Sequence, residues 1–540
     1  MNKADYVLYS DSIFTAENEN TFSGGVAIKA NRILAVGTRA ELDAFICSNT
    51  EIRDYGDRLI MPGFVEAHAH FPAGALFSSE YFLNDLFDSK SEQECAEMVH
   101  NFAQKHPDLK RIIGQGWFPA CWGDAALPTK FTLDNAVPDK PVYLAAADAH
   151  TGWVNSKALK ELTENYGFDP SLPEYTNDVV KLPDGSPSGV LRENAWFHFG
   201  AAMVNQPDAE IDEEVERKLI KEMNRFGITS LCEMSGVLPG MNYDALERIE
   251  KSGDLTMRIY LYPGLKDDEE QRELHQLCRR FHSERLCVIG AKGMVDGVTS
   301  TYTGFLLEPY ADKPETRGAT LNPREFYEKA VLSANRHGFG VRLHCIADGS
   351  VQLALDCFEK SAEVNDTSKL RNAIEHIENI HPDDIPRFAK MNVVPSMQPR
   401  HLPLENNEKI SRIGEARCRW EWPFRSFLDA GATLAFGTDY PVVDYDPFAS
   451  IFYAVTRVGY DGKPTGINPE EAVTIGETLR AYTYGGAYST NREKEIGTLS
   501  PGKFADLIVL DRDLFRVPPG QIPQCRVLLT MMDGKIVYEA

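Results

Sequence analysis

The chain has no uncharged apolar run of the ~18 residues that a membrane-spanning helix requires. Its first residues, MNKADYVLYSDSIF, lack the continuous apolar core of a secretory leader. Positive charge is scarce: 56 Lys and Arg stand against 80 Asp and Glu, leaving a formal net charge of −24 at pH 7. No basic field gathers phosphate, which excludes nucleic acid and anionic membrane as general partners. No Cys-x-x-Cys pair occurs, and the ten cysteines are scattered singly from Cys47 to Cys525, which reads as reduced thiols and not as a disulfide framework. Internal repeats and low-complexity tracts are also missing. These absences describe a soluble protein expected in the cytoplasm.

What remains is a 540-residue chain with 43% hydrophobic residues, enough for several domains of roughly 150 residues or one large barrel with additions. Residues 1–60 hold short strand patterns, DYVLYS, GVAIKANRILAVG and EIRDYGDRLI, and the far end holds ADLIVLDRD and CRVLLTMMDGKIVYEA. The simplest account joins residues 1–60 and 493–540 in one small β-sandwich domain. Between them, LIMPGFVEAHAH, GITSLCEMS, MRIYLYPG, CVIGAKGMVDG, VRLHCIAD, RNAIEHI, NVVPSMQ and TLAFGTDYP alternate with helical patterns. Eight buried strands alternating with helices predict an α/β fold, a (β/α)8 TIM-like barrel over residues 61–492. Residues 75–205 are then a long insertion after the first barrel strand, expected over the face where such barrels work.

The stretch MPGFVEAHAH places His68 and His70 two residues apart, so a strand points both to one side. Alone, a His-x-His is more often chance or a surface pair. Its weight comes from the other strand ends: Lys292 on the fourth strand, His344 on the fifth, His376 on the sixth and Asp439 on the eighth. Each has a bland reading, as a buried ion pair, a satisfied core histidine or a helix N-cap. Jointly, on one rim, those readings fail. Four imidazoles and a carboxylate suit zinc or a similar divalent cation with a coordination position left for water. An ammonium would repel the cation, but a lysine amine in an apolar site loses its proton more readily and can add carbon dioxide, giving an anionic carbamate.

The set PGFVEAHAH, DAHTGWVNSKAL, GVLRENA, KGMVDG, HCIADGS, IEHIE, PSMQPRH, AFGTDYPV and GTLSPGKFADLIVLDRD resembles the metal-dependent amidohydrolase superfamily, in the subgroup that includes N-substituted formamide deformylase. The resemblance runs from about residue 20 to the C-terminus. It implies that His68, His70 and Asp439 bind the more buried of two zinc ions per chain, His344 and His376 the second, and Lys292, as a carbamate, bridges them. Glu66 and Glu233 depart from the subgroup's usual Asp without replacing a ligand.

The chemistry expected is attack of a metal-bound hydroxide on the carbon of a small amide, formamide or cyclic amide, with C–N cleavage. Asp439 is the catalytic base that carries the proton to the departing nitrogen. His150, Trp153, Arg192, His401, Trp117 and Trp122 are candidate substrate contacts, although aromatics of an insertion commonly pack its own core. A deaminase or decarboxylase on the same barrel is the first alternative, and a non-catalytic assembly protein the second. The expected partner is a small-molecule amide, and a homodimer is compatible with the sequence.

Overall fold

The computed structural model describes residues 3–122, 126–147, 150–403, 406–458 and 468–540, with the backbone alone for 406–408. The chain divides into two compact units: Met1–His70 with Ile220–Val237 and Ser252–Ala540, and Phe71–Leu219 with Leu238–Lys251.

In the first unit, two parallel sheets contain the predicted barrel strands. One orders Leu286–Val288, Arg258–Leu261, Ile228–Glu233 and Phe64–Ala69; the other orders Gly290–Met294, Gly340–Cys345, Ala373–His376, Val394–Met397 and Ala435–Phe436. Every residue of Phe64–Ala69, Ile228–Glu233 and Arg258–Leu261 is buried, the near-continuous burial that a parallel sheet covered on both faces demands. Helices follow the strands, and Arg324–Arg336 shows why: it buries Tyr327, Ala330, Val331 and Ala334, at the spacing of one helical face. No continuous ladder closes the ring among the described residues. Single bridges, Gly264 to Lys292 and Ala69 to Tyr440, link chain segments that follow strands of the first sheet or the second to the other sheet.

Two predicted strands are divided. LIMPGFVEAHAH becomes Leu59–Pro62 and Phe64–Ala69, and CVIGAKGMVDG becomes Leu286–Val288 and Gly290–Met294. The first break falls at Gly63, where a Cβ would sit 2.3 Å from Thr229 Oγ1, so only glycine lets the chain pass. Leu59–Pro62 then leaves the barrel strands for an eight-stranded sheet built from both ends of the chain. There it runs parallel to Tyr6–Phe14 and antiparallel to Leu507–Leu510, pairing Met61 with Ile508. The pairing makes one sheet, not two separate hydrogen-bonded layers.

A buried cation ties this sheet to the strand Arg258–Leu261. Arg258, fully buried, donates from Nε to Asp506 at 2.8 Å and from Nη2 to Asp533 at 3.2 Å, with its guanidinium 3.7 Å from the Phe504 ring centre. Arg258→Ala would leave the buried Asp506 carboxylate without its cation, whereas Asp533 keeps Arg285 at 2.6 Å, and is expected to cost about 3–5 kcal/mol. Chemical denaturation checks this; a loss below about 1 kcal/mol, the range of an exposed pair, would contradict it.

The second unit holds a five-stranded sheet ordered Val179–Lys181, Pro187–Arg192, Thr151–Val154, Val142–Ala146 and Ile112–Trp117. The unit covers 71–219 and 238–251, a wider span than the predicted insertion of 75–205. Among the described residues, no helix is long and apolar enough to cross a membrane.

Candidate metal centre

The strand ends of the first unit bring His68, His70, Lys292, His344, His376 and Asp439 together. Asp439 Oδ1 lies 3.3 Å from His68 Nε2 and 3.2 Å from His70 Nε2. The His376 ring centre is 4.9 Å from that of His68 and 4.4 Å from that of His344. Lys292 Nζ is 3.4 Å from His68 Nε2. His401 joins them: its ring stacks on His376 at 14°, and the ligand atoms of His376, His401 and Asp439 lie within 4.8 Å of one another, as do those of His68, His70 and Asp439.

Backbone conformation builds this convergence. Along a regular strand Glu375 and His376 would face opposite sides. His376 has φ of +73° and Ile377 of +53°, left-handed values that are costly for a β-branched residue. The strand thus ends in a twist that lets both Glu375 and His376 reach His68. Asp439 is left-handed too, at +62°. Just before it, a Cβ on Gly437 would lie 2.5 Å from Glu66 Oε1 and 2.6 Å from His68 N. That close approach lets Glu66 Oε1 accept from both His68 N, at 3.1 Å, and Thr438 N, at 2.7 Å. Glu66 therefore fastens the first barrel strand to the last.

The donor set fits a divalent cation. His70 Nδ1, His344 Nε2, His401 Nε2 and Asp439 Oδ1 are buried with no hydrogen-bond partner, which is costly for polar atoms with nothing to bind. Burial and the nearby Lys292 hold His68 down at about 4 and His344 at about 3, so both are neutral nitrogen donors at pH 7. Burial alone would raise the Asp439 carboxyl, but the surrounding imidazoles more than offset it and keep it well below the usual range. Burial lowers Lys292 to about 8 against the pull of Glu375 and Asp439, bringing a reactive free amine within reach. Neutral imidazoles beside one anionic oxygen are the ligands zinc accepts.

Several residues outside the predicted set shape the centre. Glu375, Arg342 and Ser396 are fully buried around His68, and Gln398 Oε1 lies 2.9 Å from His376 Nδ1. Glu375 stands inside the quoted IEHIE motif, beside a predicted ligand, and that adjacency was the available signal.

The other predicted substrate contacts belong to the second unit. His150 and Arg192 are exposed at neighbouring strand ends, where Arg192 pairs with Thr151 and His150 Nδ1 lies 3.1 Å from Glu193 Oε2. Trp117, Trp122 and Trp153 pack that unit's own core, with ring centres 5.9–6.3 Å apart. Each indole N–H is already used, by Leu144 O, Ser89 Oγ and Thr129 O respectively. Trp153→Ala should accordingly cost about 3–5 kcal/mol of stability and leave KM unchanged. A raised KM with unchanged melting would restore the ligand role.

The sequence matches the amidohydrolase family over residues 51–538. It is 28% identical to Protein LONG AFTER FAR-RED 3 of Arabidopsis thaliana, over 99% of this chain and 92% of that protein. It is 24% identical to N-substituted formamide deformylase of Arthrobacter pascens, over 99% and 98%. An uncharacterized metal-dependent hydrolase from Pyrococcus furiosus superposes with a TM-score of 0.75 at 27% identity, over 95% of this chain and 100% of that one. The strand-end centre, the barrel-type α/β fold and a match spanning nearly the whole sequence agree, and the chain belongs to the amidohydrolase family.

Proposed function

We propose that this protein is a metal-dependent hydrolase that cleaves the C–N bond of a small amide, formamide or cyclic amide. The observation that carries the reading is the buried convergence of four histidines, Asp439 and Lys292, with ring nitrogens and a carboxylate oxygen left unpartnered. His68, His70 and Asp439 would hold one zinc, His344 and His376 a second, and Lys292, as a carbamate, would join the two sets. When bound, such ions supply Lewis acidity toward a carbonyl oxygen and make water a nucleophile at neutral pH.

The chain's own groups handle the proton. An amine leaves poorly unless its nitrogen is protonated, so a residue must take a proton from the attacking water and deliver it to that nitrogen. Asp439 is the acceptor at hand: its carboxylate is anionic at neutral pH and sits among all three imidazoles of His68, His70 and His376. His401, buried beside His376 with Nε2 unpartnered, is a donor suited to the substrate's carbonyl or leaving group. Ten free cysteines support a reducing compartment.

The reading is tested with a panel of N-formyl, N-acyl and lactam compounds, assayed with the metal content of the same sample. Hydrolysis that falls with chelation and returns with zinc is expected. Full hydrolysis by metal-free protein, or release of ammonia from an amino-substituted ring as the dominant activity, would overturn it.

A further inference from the structure

Glu375 and Arg342 hold no place in the ligand set, yet both are fully buried against it. Glu375 Oε2 lies 2.6 Å from His68 Nδ1, and its Oε1 accepts from Arg342 Nε at 2.5 Å. Arg342 is itself held by Ser396 Oγ, 3.0 Å from Nη2, with its guanidinium 5.0 Å from the Tyr262 ring centre. We propose that Glu375 and Arg342 are a positioning pair that fixes the tautomer of His68, presenting the Nε2 lone pair to a metal. This rests on the metal-dependent reading above.

Donor and acceptor chemistry fixes the tautomer. A guanidinium only donates, so Arg342 commits Oε1 as an acceptor. An ionised carboxylate only accepts, so His68 Nδ1 must carry the hydrogen that meets Oε2. A neutral imidazole has one N–H, which leaves Nε2 with a lone pair, aimed where Asp439 Oδ1 lies 3.3 Å away. The Arg342 guanidinium, 2.5 Å from Oε1, favours the ionised Glu375 carboxylate. A partner of this kind on a metal-binding imidazole fixes both the tautomer and the ring angle.

Glu375→Gln has an outcome that depends on Arg342. The guanidinium takes the amide oxygen, so the amide NH2 must face His68 Nδ1. Nδ1 can accept only when unprotonated, which moves the imidazole hydrogen to Nε2 and blocks ligation there. Adding Arg342→Met frees the amide to turn its oxygen to Nδ1, restoring the original tautomer although a further polar contact is lost.

Zinc affinity of the full chain, measured by chelator competition, is expected to fall about 10–100-fold in Glu375→Gln and to recover in part in the double variant. A merely structural role predicts the reverse order, with the double variant weaker than the single. Wild-type affinity in Glu375→Gln, or no recovery in a folded double variant, would overturn the proposal. Should the double variant fail to fold, long-range nitrogen NMR of histidine-labelled, metal-free protein decides the matter. His68 should carry its hydrogen on Nδ1 in the wild type and on Nε2 in Glu375→Gln; an Nδ1 hydrogen in both would refute it. If wild-type protein binds no divalent cation, the metal reading fails, whereas the NMR comparison still judges the pair.

Discussion

Asp439→Asn should keep most of the metal and lose turnover on the order of 10²-fold or more. The amide oxygen can still coordinate, and the side chain is nearly isosteric with the carboxylate that now sits 3.2–3.3 Å from two imidazoles. What is lost is the base. The loss should appear in kcat with little change in KM, because a proton acceptor acts in the transition state and not in ground-state binding. Metal analysis on the assayed sample separates this from simple loss of the cation. Near-normal turnover at full occupancy would move the base to His401, whose unpartnered, buried Nε2 belongs to a ring stacked on His376.

Lys292→Ala should have an effect of comparable size, on the order of 10²-fold, through a different route. Lys292 is buried, and burial lowers its amine to about 8, so a free amine able to take up carbon dioxide is accessible near neutral pH. Without it, the His344 and His376 set loses the anionic group that offsets a second dication. Metal content should drop from two ions to one, and formate or acetate should restore part of both metal and activity by occupying the vacated space. Refilling metal-free wild type should be slow without bicarbonate and faster with it. An alanine variant with two ions and full activity would remove the carbamate from the account.

The barrel strands were legible because burial on both faces leaves runs of apolar residues, and parallel strands must be separated by helices. Their divisions at Gly63 and around Ile289 were not. At Gly63 the cause is a tertiary neighbour, Thr229, which periodicity does not reveal. The segment Leu238–Lys251, grouped with Phe71–Leu219, is likewise joined to it across a gap in sequence that no local pattern bridges.

In the candidate metal centre, the converging side chains were readable from one rule, that barrel chemistry sits at strand ends. Glu375 escaped because strand alternation assigns it the face opposite His376, and the left-handed turn at His376 and Ile377 that cancels the alternation has no glycine to announce it. The tryptophans were ambiguous for the opposite reason. An aromatic cluster that lines a pocket and one that fills a core have the same composition, and only their complete burial with every indole N–H paired separates the two.

The central claim is that the strand-end cluster of the first unit holds the metal on which hydrolysis depends. Anomalous scattering at the zinc edge, from crystals of protein whose activity has been assayed, tests it most directly. The account predicts strong peaks inside the cluster, with imidazole nitrogens of His68, His70, His344 and His376 about 2.0–2.1 Å from zinc. Active protein whose cluster shows no anomalous peak would contradict it.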